Sequence, residues 1–416
     1  MRIVTVLMVF SFCVGDLQAA NWPTWRGPNL NGVAVGKNYP IKWSNTENIV
    51  WKAALPAAGS STPAVWENRI FVTCPGGGKN LVICFDRNGK KLWETAVGKN
   101  SPGGDRPGSG SNPSPTTDGK HVYVYYKSGD FACLDFDGKI VWRKNLQDLY
   151  GENSLWHDLG TSPVLTKDLV VVACMLTGPS YLAGLDKLTG EVVWKQDRNL
   201  PAPSEAAQSY TTPVVFSENG QERIVVLGAD HVTAHDAKTG KELWRVGGLN
   251  PGQNGFFRSI SSPVVADGFV IAPYARGASL TGIRLGGKGD VTKSHVAWSN
   301  NVRNGYSDVP SPIAYGGNVY LCTDKGYLVC VDIKTGKELW EHEGVRVRGK
   351  YYSSPILADG KIYVTYQDGQ TYVLDANNKG KLLSTNEMGE SIFATPVFVD
   401  GKILLRTSKH LYCIGK

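Results

Sequence analysis

A Ser-Pro or Thr-Pro step followed by apolar residues recurs eight times, at Pro63, Pro115, Pro163, Pro213, Pro263, Pro312, Pro355 and Pro396. Successive prolines are 52, 48, 50, 50, 49, 43 and 41 residues apart. Such a period implies one supersecondary unit used repeatedly, each burying its apolar faces on its neighbours. In each unit a short apolar strand meets a turn such as Asp-Gly, and a second strand rich in Val, Ile and Tyr follows. A third strand ends in Asp, then come a Thr-Gly-Lys-like turn and a fourth strand near Trp. Four short antiparallel strands at this period predict a β-propeller blade. The period exceeds the roughly 40–45 residues of WD40 repeats.

The segment KTGKELW stands at 238–244 and again at 334–340. It is not a phosphate loop: it lacks GxxxxGK[ST], and its context is strand–turn–strand. Asp236 is placed to accept turn N–H bonds, and Gly240 to supply a positive φ. Trp51, Trp93, Trp142, Trp194, Trp244, Trp298 and Trp340 take the fourth-strand position, with Leu383 in the remaining unit. These tryptophans are expected to pack between adjacent blades. The last unit stops after its third strand, whereas residues near Trp51 form a fourth strand with no unit before it. Joining the two gives an all-β, eight-bladed β-propeller with no free edge at the closure. The expected organisation is a signal peptide over 1–20, an N-terminal strap over 21–44 and one propeller over 45–416.

Arg2, the apolar run Ile3–Val14 and the small pair Ala19-Ala20 read as a secretory signal. The run is too short to cross a bilayer, so the expectation is a periplasmic or secreted protein without a membrane span. The net charge is +7, with Lys and Arg scattered rather than clustered, which argues against nucleic acid. Cys84, Cys133, Cys330 and Cys413 recur at one repeat position that Gly184, Ala234 and Val373 fill elsewhere, the mark of a small buried slot. Hairpin disulfides Cys74–Cys84 and Cys322–Cys330 are the alternative use. No CxxC spacing occurs and the seven histidines are dispersed, so no metal site is expected.

Most turns on one face are tight. The loops entering each Ser/Thr-Pro strand share the other face, and they are long and chemically rich, where binding usually resides. They place Arg106, Glu152, Trp156, His157, Asp158, Gln208, Tyr210, Phe257, Arg258, Arg303, Tyr306, Asp308, Arg348, Tyr351 and Tyr352 around a channel mouth. Arginine forks, carboxylates and aromatic planes suit a polar, carbohydrate-like or anionic ligand.

With its eight units and D-x-x-T-G-K-x-L-W turns, the chain resembles the pyrroloquinoline quinone (PQQ)-like propeller repeat family across about residues 45–416. The opening NWPTWRGPNLNG looks like the start of exported propellers of this group, which are numerous in planctomycetes and related bacteria. One branch, the quinoprotein alcohol dehydrogenases, would imply PQQ, Ca²⁺ and an Asp base, with Asp158 or Asp308 as the candidate. Its vicinal Cys-Cys is missing here. The chain is also similar to the propeller component of the outer-membrane β-barrel assembly machine, which implies binding of protein partners without a cofactor. The expected function is an exported module binding or scaffolding an envelope or secreted protein, or a polysaccharide, without bound quinone. The alternative is a PQQ- and calcium-dependent dehydrogenase of alcohols or sugars.

Overall fold

The computed structural model describes residues 20–101, 108–301, 307–323, 326–342 and 351–416. The signal-peptide reading therefore falls outside the described residues. These fold into eight sheets, seven of four strands and one of five. Blade 3 shows the pattern. Val164–Leu165, Leu169–Cys174, Tyr181–Asp186 and Val192–Asp197 form an antiparallel meander. Its second strand is buried throughout, whereas its outer strand alternates, with Trp194 turned inward. In the last blade, Ile49–Ala54 pairs with the final strand His410–Ile414, so the chain ends share one sheet. The eight-bladed architecture and its closure are thus as expected.

The small third-strand slot has a direct cause. Cys84, Cys133, Gly184, Ala234, Gly282, Cys330 and Cys413 each lie opposite the tryptophan of the adjacent fourth strand. A larger side chain there would compete with the indole. The cysteines are free and buried. Strand register opposes Cys74 to Leu81 and Cys322 to Leu328, so neither hairpin pair forms a disulfide.

Five of these indoles also reach the turn of the next blade. Nε1 of Trp51, Trp93, Trp142, Trp194 and Trp298 donates to the carbonyls of Arg87, Phe136, Lys187, Ala237 and Ile333 at 2.7, 2.8, 2.9, 3.2 and 3.0 Å. The turn glycine lies beneath the ring: a β-carbon at Gly138 would stand 2.6 Å from Trp93, and one at Gly190 2.5 Å from Trp142. Two seams differ. Gly289–Asp290 adds a parallel fifth strand beside Trp244. In blade 7, register places Ser384, not Leu383, at the tryptophan position. The N-terminal strap covers that site: the Ser384 hydroxyl donates to the Ile41 carbonyl, and Trp43 stacks on Tyr363.

The strap also crosses the propeller axis. Trp22 bridges Val65 of blade 1, and the Pro23 carbonyl accepts from Thr117 of blade 2. Three residues on, buried Arg26 donates to the carbonyls of Pro312 and Pro355 in blades 6 and 7, at 2.6 and 2.8 Å. Blades 1 and 2 face blades 5 and 6 across an eight-membered ring, so residues 22–26 span the central channel. Val33 then bridges Leu357, and Tyr39 packs on Phe398 of blade 8.

Candidate functional site

The eight residues preceding the repeated prolines form a closed hydrogen-bonded ring. The N–H of Thr62 donates to Ser114 Oγ (2.9 Å), Ser114 to Ser162 (2.9 Å) and Ser162 to Thr212 (3.0 Å). Thr212 donates to Ser262 (2.9 Å), Ser262 to Ser311 (2.8 Å) and Ser311 to Ser354 (2.9 Å). Ser354 donates to Thr395 (3.1 Å) and Thr395 back to Thr62 (3.2 Å). All eight line a central cavity of about 510 Å³. The recurrence of Ser or Thr before Pro carried this signal in the sequence. Its role there as a strand start concealed that the hydroxyls face one axis. Each hydroxyl accepts an N–H, which polarises its own O–H as a donor.

Trp25 lies in the cavity lining, on the segment that crosses the axis. The strap bonds to Val65, Thr117 and Leu357, which lie beyond the ring toward the tight-turn end of the inner strands. The cavity is therefore a cup, closed by the strap and bordered by long-loop residues at its other end.

Five of the residues picked out in the long loops line it: His157, Asp158, Tyr210, Arg258 and Tyr352. Asp158 is already saturated. Its Oδ2 accepts from Gly110 N and Asn112 Nδ2, both at 2.7 Å, and Oδ1 from Leu159 N at 2.8 Å. Burial nevertheless raises its pKa above the usual carboxylate range. Arg258 is nine-tenths buried, with Nη1 3.2 Å from Glu205 Oε1 and Nη2 4.0 Å from Asp308 Oδ2. Among the described residues its Nε and Nη1 have no acceptor in hydrogen-bond geometry, the Glu205 contact being an ion pair. Glu205, on the short 3₁₀ turn Ser204–Ala207, also faces Arg276 Nη2 (3.7 Å) and His157 Nε2 (3.5 Å).

Gln208 stands behind the wall. Its Oε1 accepts from Trp156 N (3.3 Å) and the Tyr210 hydroxyl (2.8 Å), holding the 156–158 loop. Glu152 is exposed on that loop and does not line the cup. Trp156 is 56% exposed, beside the cup-lining His157. Phe257 packs on the blade 4/5 core, and Tyr351 is fully buried in the blade 6/7 core. Arg106, Arg303, Tyr306 and Arg348 lie outside the described residues. Sequence reasoning missed Glu205, Arg276, Trp25 and Phe393. No repeat position marks them, and only the folded ring brings them together.

Comparison with known proteins follows the same architecture. The family profile described as outer membrane protein assembly factor BamB matches residues 78–219, 138–379 and 290–413. The chain belongs to this family. BamB of Moranella endobia (strain PCIT) is 22% identical over 368 residues, covering 77% of this chain and 88% of that one. Among solved structures, BamB from Moraxella catarrhalis superposes with a TM-score of 0.65 at 16% identity, covering 88% of this chain and 97% of that one. Quinohemoprotein alcohol dehydrogenase from Comamonas testosteroni superposes at 0.67 and 15% identity, covering 94% and 80%. This BamB-family propeller therefore shares its scaffold with both an assembly factor and a quinone enzyme, and its own loops must carry the distinction.

Proposed function

We propose that this chain is an exported binding and scaffolding propeller, which engages a protein or polysaccharide partner through the long-loop face and works without bound quinone. The observation that carries the reading is the cup, closed by the strap on one side and bordered by non-repeating loops on the other. A rigid ring with one polar opening recognises a partner without moving its scaffold. Membership of the BamB family supports it, and so does the absence of any helix among the described residues long and apolar enough to cross a membrane.

The quinoprotein reading rests on the superposition with an alcohol dehydrogenase propeller. Calcium-bound PQQ needs converging carboxylate and amide oxygens. Among the described residues no group of three His, Cys, Asp or Glu is placed to hold a metal, and both Asp158 oxygens already accept protein donors. That arrangement favours the reading without bound quinone.

The test is to mix the purified protein with PQQ and Ca²⁺, remove free quinone, record the absorption spectrum and assay dye reduction with a panel of alcohols. No retained quinone is expected. Stoichiometric quinone with alcohol-dependent turnover would replace this reading with the dehydrogenase.

A further inference from the structure

We infer that the cup and its rim bind an acidic polysaccharide, with a sugar carboxylate seated on Arg258 and the chain running over Trp156 and Phe256. This names a ligand class for the binding face proposed above and rests on that reading.

Three observations converge. The cup is built to donate: its eight hydroxyls each accept a backbone N–H, and among the described residues no protein acceptor takes their own O–H groups. An acceptor-rich ligand completes that set. Charge points the same way. The carboxylate in the wall, Asp158, accepts from three donors, whereas the guanidinium in the wall, Arg258, faces Glu205 and Asp308 at 3.2 and 4.0 Å yet its Nε and Nη1 meet no acceptor in hydrogen-bond geometry among the described residues. A nine-tenths buried guanidinium has five N–H donors, so beside Glu205 it keeps donors to offer a ligand oxyanion. A cavity of about 510 Å³ lies within the roughly 300–1,000 Å³ of small-molecule sites.

The rim supplies the third observation. Trp156 is 56% exposed and Phe256 63%, yet each sits within two residues of a cup-lining side chain, His157 and Arg258. Exposed aromatic planes next to a polar pocket match the alternating C–H faces and hydroxyl edges of a sugar chain. They match a compact metabolite poorly, because it would fill the cup and leave the rim bare.

The test is calorimetric titration of the full chain with oligogalacturonate, beside the same oligomer methyl-esterified to remove its charge. The acid form is expected to bind, and the ester about tenfold more weakly or less, the loss of one charged pair. Arg258→Gln should abolish the preference for the acid form, while the surface variants Trp156→Ala and Phe256→Ala, which leave the melting temperature unchanged, should weaken both forms severalfold. Equal binding of acid and ester, or unchanged affinity in all three variants, would overturn the inference. If no oligouronide binds while a purified protein partner does, and its affinity falls on Trp156→Ala, the glycan assignment fails and the scaffold reading stands.

Discussion

Trp51 covers Gly89 across the seam where the propeller closes: a β-carbon on Gly89 would stand 2.6 Å from the indole, and Trp51 Nε1 holds the Arg87 carbonyl of the same turn at 2.7 Å. Trp51 belongs to the first strand described and Gly89 to the first complete blade, so this contact fastens blade 8 to blade 1.

Gly89 has φ +79°, a conformation that disfavours any side chain. Gly89→Ala should therefore destabilise the fold by about 2–4 kcal/mol, combining backbone strain with overpacking. Trp51→Phe, which keeps most of the ring but loses the hydrogen bond, should cost about 1 kcal/mol. Urea unfolding of the two variants beside wild type measures both. A neutral Gly89→Ala would show that the seam yields.

The hydroxyl ring makes a second prediction. Ser262→Ala leaves the buried Thr212 N–H without its 2.9 Å acceptor. Leaving a buried donor unsatisfied costs about 1–3 kcal/mol. Ser262→Thr keeps the oxygen and should cost less, as Thr62, Thr212 and Thr395 already hold equivalent places. Denaturant midpoints of the pair decide whether the oxygen, rather than side-chain volume, matters.

The strap gives a third. Arg26 is buried without a carboxylate, its pKa pushed down to about 9 by desolvation, and it serves the carbonyls of Pro312 and Pro355. Arg26→Met removes both bonds and should release the segment across the channel. Limited proteolysis should then cut within residues 20–44 faster than in wild type while the blades resist. Equal cutting rates would mean that Trp22 and Tyr39 hold the strap unaided.

Protonation offers a fourth. His235 is fully buried, its Nδ1 3.0 Å from the Gly240 carbonyl, and desolvation lowers its pKa from 6.5 to about 4. The unfolded chain therefore takes the proton first as pH falls. The stability tied to neutral His235 is complete above pH 6.5 and drains away down to about pH 4, about 3 kcal/mol in all. Asp230 acts in the opposite sense: burial raises it to about 6, so the native state takes its proton first below that pH. Comparing His235→Gln with wild type at pH 7 and pH 5 isolates the histidine. The stability difference between them should shift in the variant's favour by about 2 kcal/mol on acidification. Parallel pH curves would remove the histidine from the account.

The blade count, strand order and closing strand were legible because repetition exposes a single strand pattern eight times. The candidate site was legible only in part. Loop length pointed to the face on which the cavity opens, and His157, Asp158, Tyr210, Arg258 and Tyr352 of those loops line it. Gln208 and Tyr351 are polar or aromatic residues of those loops that turn into the protein, a choice set by packing rather than by composition. Leu383 was one residue off: the same bulge recurs in the other fourth strands, and the four-residue step from turn glycine to tryptophan, as from Gly190 to Trp194, leads from Gly380 to Ser384.

The sequence by itself determined the eight blades, their tryptophan seams and the closure. These follow from local patterns that recur at a fixed period, each sufficient to specify its own hairpins. Only the tertiary structure decided that eight Ser/Thr side chains meet in one ring, that the strap closes it at Trp25, and that Glu205 and Arg276 join Arg258 at its rim. Those juxtapositions link residues tens to hundreds of positions apart. They arise from curvature accumulated blade by blade, which no local stretch of the chain encodes.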